Sequence, residues 1–187
     1  MVIAAHIIGK PPKTEPAIGK KEATATGPRK NIILKGAPAE ELAKELAKRL
    51  KADGCEFNAS ADIDAPIAGA ERVVAVGKGI GDAKNLELAR KLAARAGAAL
   101  GSSRPVAESL RYLPLDRYIG MSGQIFSGKL YIACGISGAI QHLKGIKDAG
   151  IIVAVNNDPD APIFKNCDYG IVGDLTEVLP LLTAALS

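Results

Sequence analysis

The chain has 187 residues, a formal net charge of +4 and 48% hydrophobic residues, but only 4% aromatic residues and no tryptophan. This length suits one domain, and an aliphatic composition is typical of buried parallel strands covered by helices. Lysines and arginines are interspersed with acidic residues instead of forming a basic stripe, which argues against nucleic-acid binding. No apolar run approaches the roughly 20 residues that span a bilayer, so we expect no membrane span.

The cysteines Cys55, Cys134 and Cys167 are far apart and follow no CxxC spacing. An odd number of cysteines at these spacings predicts reduced thiols, and neither a disulfide framework nor a metal site. The opening residues MVIAAHII have no basic flank and no cleavage site. We therefore expect a cytoplasmic protein.

Residues 1–30 come first along the chain. A short predicted strand, Val2 to Ile8, contains His6, and KPPKTEPAIGKKEATATGPRK then follows without any hydrophobic period. A segment rich in Lys, Pro, Gly and Thr is typical of a flexible arm or linker.

Residues 31–69 contain one βα unit. The stretch from Asn31 to Leu34 predicts a short strand. The next stretch, APAEELAKELAKRLKADG, has Leu42, Leu46 and Leu50 at every fourth position. This spacing predicts an amphipathic helix with a charged outer face.

Strand and helix patterns alternate through residues 70–187, which predicts a Rossmann-like parallel sheet with helices on both faces. Residues 106–127 are irregular after a first helical turn. A helix pattern follows Gly138, and Asp174 is placed to cap the last helix. The predicted strands are 70–76, 98–100, 130–134, 151–155 and 169–172, and the other predicted helices are 83–96 and 175–185.

Small or polar residues follow each of these strands. Because parallel strands end at the same edge of a sheet, we expect the five turns to gather along one rim. Glycines let backbone amides approach a ligand, and helix N-termini favour anions. The sequence predicts a site for a long nucleotide, with a set of ordinary βα turns as the alternative. The turns are 77–81, 101–104, 135–138, 156–158 and 173–174.

Five segments resemble the flavin-binding C-terminal domain of the electron-transfer flavoprotein alpha subunit, in order from about Ala70 to the C-terminus. They are GSSRPVAE, YIGMSGQ, LYIACGISGAIQHLKGIKDA, IIVAVNNDPDAPIF and DYGIVGDLTEVLP. The resemblance implies that residues 70–187 form an α/β domain that binds FAD. It also implies that residues 31–69, which resemble a βα unit of the alpha subunit's N-terminal domain, are a remnant of that domain.

The resemblance further implies an electron carrier that works with a beta-type subunit and takes electrons from flavin dehydrogenases for a downstream acceptor. The sequence leaves open whether the chain forms a homo-oligomer. The sequence has no set of nucleophile, base and orienting residue, so redox chemistry would belong to the cofactor and the chain would not be a classical enzyme. The alternatives are a nucleotide-binding module without electron-carrier activity and an NADP-binding domain.

The family's cofactor-binding positions carry over residue by residue. Arg104 matches an arginine near the isoalloxazine ring, Ser122 a hydroxyl that approaches flavin N5, and His142 a histidine near N1 and O2. Asp174 and Leu175 match the pair at the adenosine end. The full set is Lys78, Ser103, Arg104, Ile119, Gly120, Met121, Ser122, Ser137, Gly138, Ala139, Ile140, Gln141, His142, Asn156, Asp174 and Leu175.

Flavin reduction places negative charge near N1 and O2, so a cationic or donating group there raises the reduction potential. His142 and Arg104 are the candidates. The sequence departs from the family at Lys78, where arginine is usual, and at Met121 and Ser122, where glutamine and threonine are usual. Lysine keeps the charge but loses the bidentate fork that suits phosphate. One extra residue stands between Arg104 and Pro114, and the region before the domain is short.

Overall fold

Six strands form one sheet in the computed structural model, which describes residues 28–59 and 62–187. The strands are β1 Ile32–Leu34, β2 Arg72–Val76, β3 Ala99–Ser102, β4 Leu130–Cys134, β5 Ile151–Asn156 and β6 Tyr169–Val172. Their spatial order is β1-β6-β5-β4-β2-β3, and every neighbouring pair is parallel. The predicted parallel sheet is therefore confirmed.

The helices of the described residues are α1 Ala39–Ala52, α2 Leu86–Ala96, α3 Arg104–Glu108, α4 Ile140–Lys144 and α5 Leu175–Ala185. Short 3₁₀ turns lie at Lys78–Ile80, Ala83–Asn85, Leu115–Arg117 and Pro162–Asn166. In the described part of the chain, no helix is both long and apolar enough to cross a membrane. The predicted strand from Val2 to Ile8, His6 and nearly all of the arm at residues 1–30 lie outside the described residues.

The two faces of the sheet are covered unequally. The longer helices α1, α2 and α5 cover one face, where Leu46, Leu92 and Leu182 are fully buried. The other face is covered by α4, by the 3₁₀ turn Pro162–Asn166 and by loops that bury Phe126. Helices therefore lie on both faces as predicted, but the second face has only short ones.

Two predicted helices differ in extent. The helix expected from residue 83 begins with a 3₁₀ turn before α2 starts at Leu86. The helix expected after Gly138 is α4, which has only five residues, Ile140–Lys144, and is followed by Gly145. A Cβ atom at Gly145 would lie 2.7 Å from the Gly120 Cα, so the chain there must pass close to another loop.

The βα unit of residues 31–69 extends the same sheet as the rest of the chain. β1 pairs with β6 in parallel, with Ile32 opposite Tyr169, and α1 packs against α5. The origin of this unit as a domain remnant, and the division of the chain at residue 70, stay predictions.

Asp168 ties the segment before β1 to the sheet. Its carboxylate accepts hydrogen bonds from Arg29 Nη1 at 3.0 Å, the Lys30 amide at 3.1 Å and the Ile152 amide at 2.8 Å. Asp168 is buried, so these bonds act in a medium of low dielectric constant. Arg29 also donates to the carbonyls of Gly150 and Lys147, so its guanidinium has further acceptors.

We predict that Asp168→Ala lowers the free energy of unfolding by about 3 kcal/mol, because it leaves two amides without their acceptor and removes the carboxylate partner of the half-buried Arg29 guanidinium. Urea denaturation followed by circular dichroism measures the loss. Glu40→Ala is the control, since it removes a carboxylate whose ion pair with Lys44 is exposed. Equal free energies of unfolding for the two variants would contradict the stabilising role of the Asp168 carboxylate.

Candidate functional site

The order of the strands reverses between β2 and β4. The chain leaves β2 toward its outer neighbour β3, but leaves β4 toward β5 on the opposite side, so the two loops diverge at the carboxyl edge of the sheet. Open α/β sheets bind ligands in the crevice at such a point. A cavity of about 660 Å³ lies there, which is within the usual range of small-molecule sites.

Most of the sequence-predicted site residues line this cavity. They come from the turns after β2, β3, β4 and β5, and from the loop that precedes β4. The fifth predicted turn does not line the cavity but is adjacent to it, because the Gly173 amide donates to the Asn156 carbonyl at 3.0 Å. The predicted residues in the lining are Lys78, Ser103, Arg104, Ile119, Gly120, Ser122, Ser137, Ala139, Gln141, His142 and Asn156.

The other five predicted residues lie outside the cavity lining. Met121 and Ile140 point outward and are 55% and 69% exposed. Gly138 packs against the Ile163 backbone, where a Cβ atom would approach to 2.4 Å. Asp174 caps α5, and its carboxylate accepts from the Thr176 amide at 2.7 Å. Leu175 is buried in the core of the helical face.

Several lining residues are absent from the sequence-based set. The glycines and Asp158 belong to turns that the sequence singled out, so they could have been included. Tyr118 stands directly before the IGMSGQ loop. The additional lining residues are Gly77, Gly79, Pro105, Tyr118, Gly135, Ile136, Asp158 and Ala161.

The loops after β2 and β4 meet backbone to backbone. A Cβ atom at Gly77 would lie 2.2 Å from the Gly135 carbonyl oxygen, and one at Gly79 would lie 2.8 Å from the Gly135 Cα. The Gly79 amide donates to the Gly135 carbonyl at 3.0 Å. Only glycine permits this contact, so the glycine spacing predicted to serve a ligand also joins the two loops that form the crevice.

The charged side chains of the cavity lining are Lys78, Arg104 and Asp158. Lys78 is exposed in the turn after β2. Arg104 lies at the start of α3 and makes an exposed ion pair with Glu108 at 2.7 Å, which raises the pKa of its guanidinium. Two cations and one carboxylate at the edge of a cavity suit an anionic ligand.

Asn156 joins two of the turns. It is buried at the end of β5, where its Nδ2 donates to the Ile136 carbonyl at 3.0 Å and its Oδ1 accepts from the Asp158 amide at 3.0 Å. Both ends of the amide are thereby engaged within the protein. Asn156 therefore holds the loops after β4 and β5 in place.

Two hydroxyl groups share a hydrogen bond at one wall of the cavity. Tyr118 OH and Ser122 Oγ are within hydrogen-bond distance, and either can donate. Tyr118 is buried and Ser122 is exposed. This pairing fixes the position of the Ser122 hydroxyl at the cavity.

His142 is the buried histidine of the cavity lining. Its ring lies 6.0 Å from that of Tyr131, and Tyr131 OH lies 2.8 Å from Nε2. Burial lowers the pKa of His142 to about 4, although the nearby Ile119 carbonyl favours the charged ring. The ring is thus neutral near pH 7. From the sequence, His142 could act near the flavin either as a cation or as a hydrogen-bond donor. A neutral ring fits the role of donor and not that of cation.

The geometry assembled here is typical of α/β domains that bind nucleotides, with glycine-rich turns, exposed cations and a crevice at the reversal of strand order. Residues 66–147 match the model of the "Electron transfer flavoprotein FAD-binding domain" family. The resemblance to the flavin-binding domain of the electron-transfer flavoprotein alpha subunit is confirmed.

Two relatives are similar over much of the chain. Protein FixB of Escherichia coli O7:K1 (strain IAI39 / ExPEC) is 45% identical over 148 residues, which cover 79% of this chain and 46% of the relative. Protein FixB of Escherichia coli strain K12 / DH10B is 49% identical over 118 residues, which cover 63% and 38%. The chain thus spans less than half the length of these relatives.

A solved structure, that of a proposed phosphosugar isomerase from Silicibacter pomeroyi DSS-3, also aligns with the chain. It is 19% identical, has a TM-score of 0.40, and the alignment covers 79% of this chain and 42% of that one. A likeness of this size carries no argument about function.

We predict that acid destabilises the protein through His142. The unfolded imidazole, with a pKa near 6.5, takes up a proton as the pH falls from 7 to 5, while the folded one stays neutral until about pH 4. The contribution of the neutral His142 to the free energy of unfolding is therefore fully present above pH 6.5, and it is lost as the pH falls toward 4. At pH 5 the loss is about 2 kcal/mol.

Denaturation of the wild type and of His142→Asn at pH 7 and pH 5 measures this effect. The variant lacks the titrating group, so its loss of stability between the two pH values should be smaller than that of the wild type by about 2 kcal/mol. An equal loss in both proteins would show that His142 titrates normally in the folded state.

Proposed function

We propose that this chain is an electron-transfer flavoprotein alpha-type protein that binds FAD in the cavity and carries electrons between flavin dehydrogenases and a downstream acceptor. The observation that carries the proposal is the arrangement of Arg104, Ser122 and His142 around one cavity, which is built from four sheet-edge turns and the loop that precedes β4. The family match over residues 66–147 supports it.

The described residues fit FAD in three respects. The turns after β2 and β4 line the cavity with glycines and other small residues, which suits the close approach of a pyrophosphate. Lys78 and Arg104 supply positive charge for an anionic cofactor. His142 Nδ1 is buried without a hydrogen-bond partner among the described residues, so it is available for a hydrogen bond with a bound ligand.

Each part of the site has a separate task in this proposal. Lys78 and the amides of Ile136 and Ser137 hold the phosphates, while Arg104 places its positive charge beside the flavin ring. Ser122, held by Tyr118, offers a hydroxyl to the ring, and His142 offers a hydrogen-bond donor. Asp174 and Leu175 lie on the same sheet edge beyond the cavity, where the adenosine end would reach.

FAD supplies the redox chemistry when bound, and the protein supplies binding, orientation and electrostatics. This division makes the chain an electron carrier and not a classical enzyme. A beta-type subunit and flavin dehydrogenases as electron donors complete the proposal, and both follow from the resemblance. The proposed cytoplasmic location follows from the cysteine pattern and the opening residues.

We predict that the full chain, reconstituted with FAD and passed through a desalting column, retains the cofactor and shows a flavin absorption band. The reduction potential of the bound flavin should differ from that of free FAD. No retained flavin would contradict the proposal. Retained flavin with the potential of free FAD would instead indicate a nucleotide-binding module without electron-carrier activity.

Arg104→Ala should make the reduction potential of bound FAD more negative, on the order of 50 mV, because the positive charge beside the reduced ring is lost. A spectroelectrochemical titration measures this shift. Lys91→Ala is the charge-matched control, since Lys91 is an exposed residue of α2 outside the cavity lining. Equal shifts in the two variants would mean that Arg104 acts only through net charge.

Lys78→Ala should weaken FAD binding roughly 3- to 10-fold, the size of one charge-assisted phosphate contact at an exposed position. Fluorescence quenching of FAD during titration gives the dissociation constant. Lys84→Ala serves as the control because Lys84 follows the same turn but pairs with Asp82 and does not line the cavity. Unchanged affinity in Lys78→Ala would remove Lys78 from the site.

A further inference from the structure

Tyr131 contacts His142 of the cavity lining and is not one of the predicted site residues. It is the second residue of β4, its side chain is 0% exposed, and its ring packs 5.6 Å from that of Phe126. The phenol is directed at His142, with 2.8 Å between Tyr131 OH and Nε2. A completely buried hydroxyl thus engages one nitrogen of an imidazole that lines the cavity.

Two proton arrangements are compatible with this hydrogen bond. In the first, Tyr131 OH donates to an unprotonated Nε2, so that the neutral imidazole carries its hydrogen on Nδ1. In the second, Nε2–H donates to the phenol oxygen, and Nδ1 is left with a lone pair. The nitrogen that carries the hydrogen is set by the hydrogen bond that the other nitrogen makes.

The number of unpaired groups distinguishes the two arrangements. Tyr131 OH makes no other hydrogen bond within the described residues, and Nδ1 of His142 makes none. The second arrangement therefore leaves both the phenol hydrogen and the Nδ1 lone pair unpaired in a buried place. The first leaves only Nδ1–H. Because each unpaired buried group costs about 1–3 kcal/mol, the first arrangement is favoured.

Two further observations agree with the first arrangement. Burial raises the pKa of Tyr131 well above its ordinary value, so the phenol keeps its hydrogen and can donate it. The carbonyl of Ile119 favours a protonated His142 ring, and a carbonyl oxygen interacts better with an N–H group than with a lone pair. The Nδ1–H group then lacks a well-aligned hydrogen bond among the described residues, and it belongs to a residue that lines the cavity.

We propose that Tyr131 is a positioning residue that holds His142 as the Nδ1-protonated tautomer, so that Nδ1–H is presented as a hydrogen-bond donor to an acceptor of the ligand in the cavity. The tautomer itself is a property of the ligand-free chain. The identity of the acceptor rests on the proposed function, in which it is the nitrogen or carbonyl oxygen at the pyrimidine edge of the flavin.

Through this tautomer, Tyr131 affects ligand recognition although it does not itself contact the ligand. A neutral imidazole that presents a donor stabilises an acceptor that gains negative charge, whereas the other tautomer would face it with a lone pair. The flavin edge near N1 and O2 carries acceptors, so the Nδ1–H tautomer is the complementary one. Loss of the phenol hydroxyl would remove this preference while the imidazole stays in place.

Nitrogen-15 NMR of the full ligand-free chain at pH 7 tests the tautomer directly. The chain has two histidines, His6 and His142, and the His142→Asn variant identifies the signals of the second. In the wild type we expect Nδ1 in the protonated range of chemical shifts and Nε2 in the unprotonated range. The opposite pattern would overturn the proposal without any need for a phenol variant.

Tyr131→Phe keeps the aromatic ring and removes the hydroxyl. The Nδ1-protonated fraction should fall in this variant, with a change in both nitrogen shifts of His142. Tyr118→Phe is the matched control, because it removes the hydroxyl that pairs with Ser122 and leaves the Tyr131 hydrogen bond intact. An unchanged tautomer in Tyr131→Phe, or an equal change in Tyr118→Phe, would contradict the proposal.

Titration with FAD separates this inference from the proposed function. Tyr131→Phe should bind FAD roughly 2- to 10-fold more weakly than the wild type, the fold-change that corresponds to one hydrogen bond. If the wild type binds no FAD while the tautomer depends on Tyr131, the proposed function fails and the positioning role stands. If the wild type binds FAD and the tautomer is independent of Tyr131, the reverse holds.

Discussion

The site depends on the contact between two loop backbones at the carboxyl edge of the sheet. β2 and β4 are neighbours, but the chain continues from them in opposite directions, so the loops that follow diverge. Gly77 and Gly79 meet Gly135 so closely that no Cβ atom fits. This contact sets the width of the crevice, and Asn156 then attaches the next turn to it through Ile136 and Asp158.

The polar groups around the crevice are largely positioned before any ligand is present. Ser122 is hydrogen-bonded to Tyr118, and His142 is hydrogen-bonded to Tyr131 through Nε2. Burial keeps the imidazole neutral near pH 7, so the wall of the cavity offers a donor while positive charge comes from exposed Lys78 and Arg104. Fixed dipoles of this kind avoid the cost of reorganisation on binding.

Local patterns predict the elements of this fold well, because strands buried on both faces read as continuous apolar runs. β4, β6 and α5 have the predicted bounds, and Asp174 caps α5 as expected from its position before the helix. Features set by distant contacts were not predictable. Both the pairing of β1 with β6 and the end of α4 at Lys144, just before Gly145, depend on residues far along the chain.

The same distinction applies to the site. Turns that follow strands are visible in the sequence, so most of the predicted residues do line the cavity. Met121 and Ile140 were included because they lie between matching residues, but a side chain's direction in a tight loop or short helix changes from one residue to the next. Tyr131 gave no signal, since a tyrosine in an apolar strand reads as core, and only the fold brings it to His142.

The central claim is that the crevice between the loops after β2 and β4 holds a flavin nucleotide. Amide chemical shifts recorded while the full chain is titrated with FAD test it most directly. The account predicts saturable changes at residues 77–79, 103–104, 119–122, 135–142 and 156–158, with the amides of α1 unchanged. Changes confined to other surfaces, or no change at saturating FAD, would contradict it.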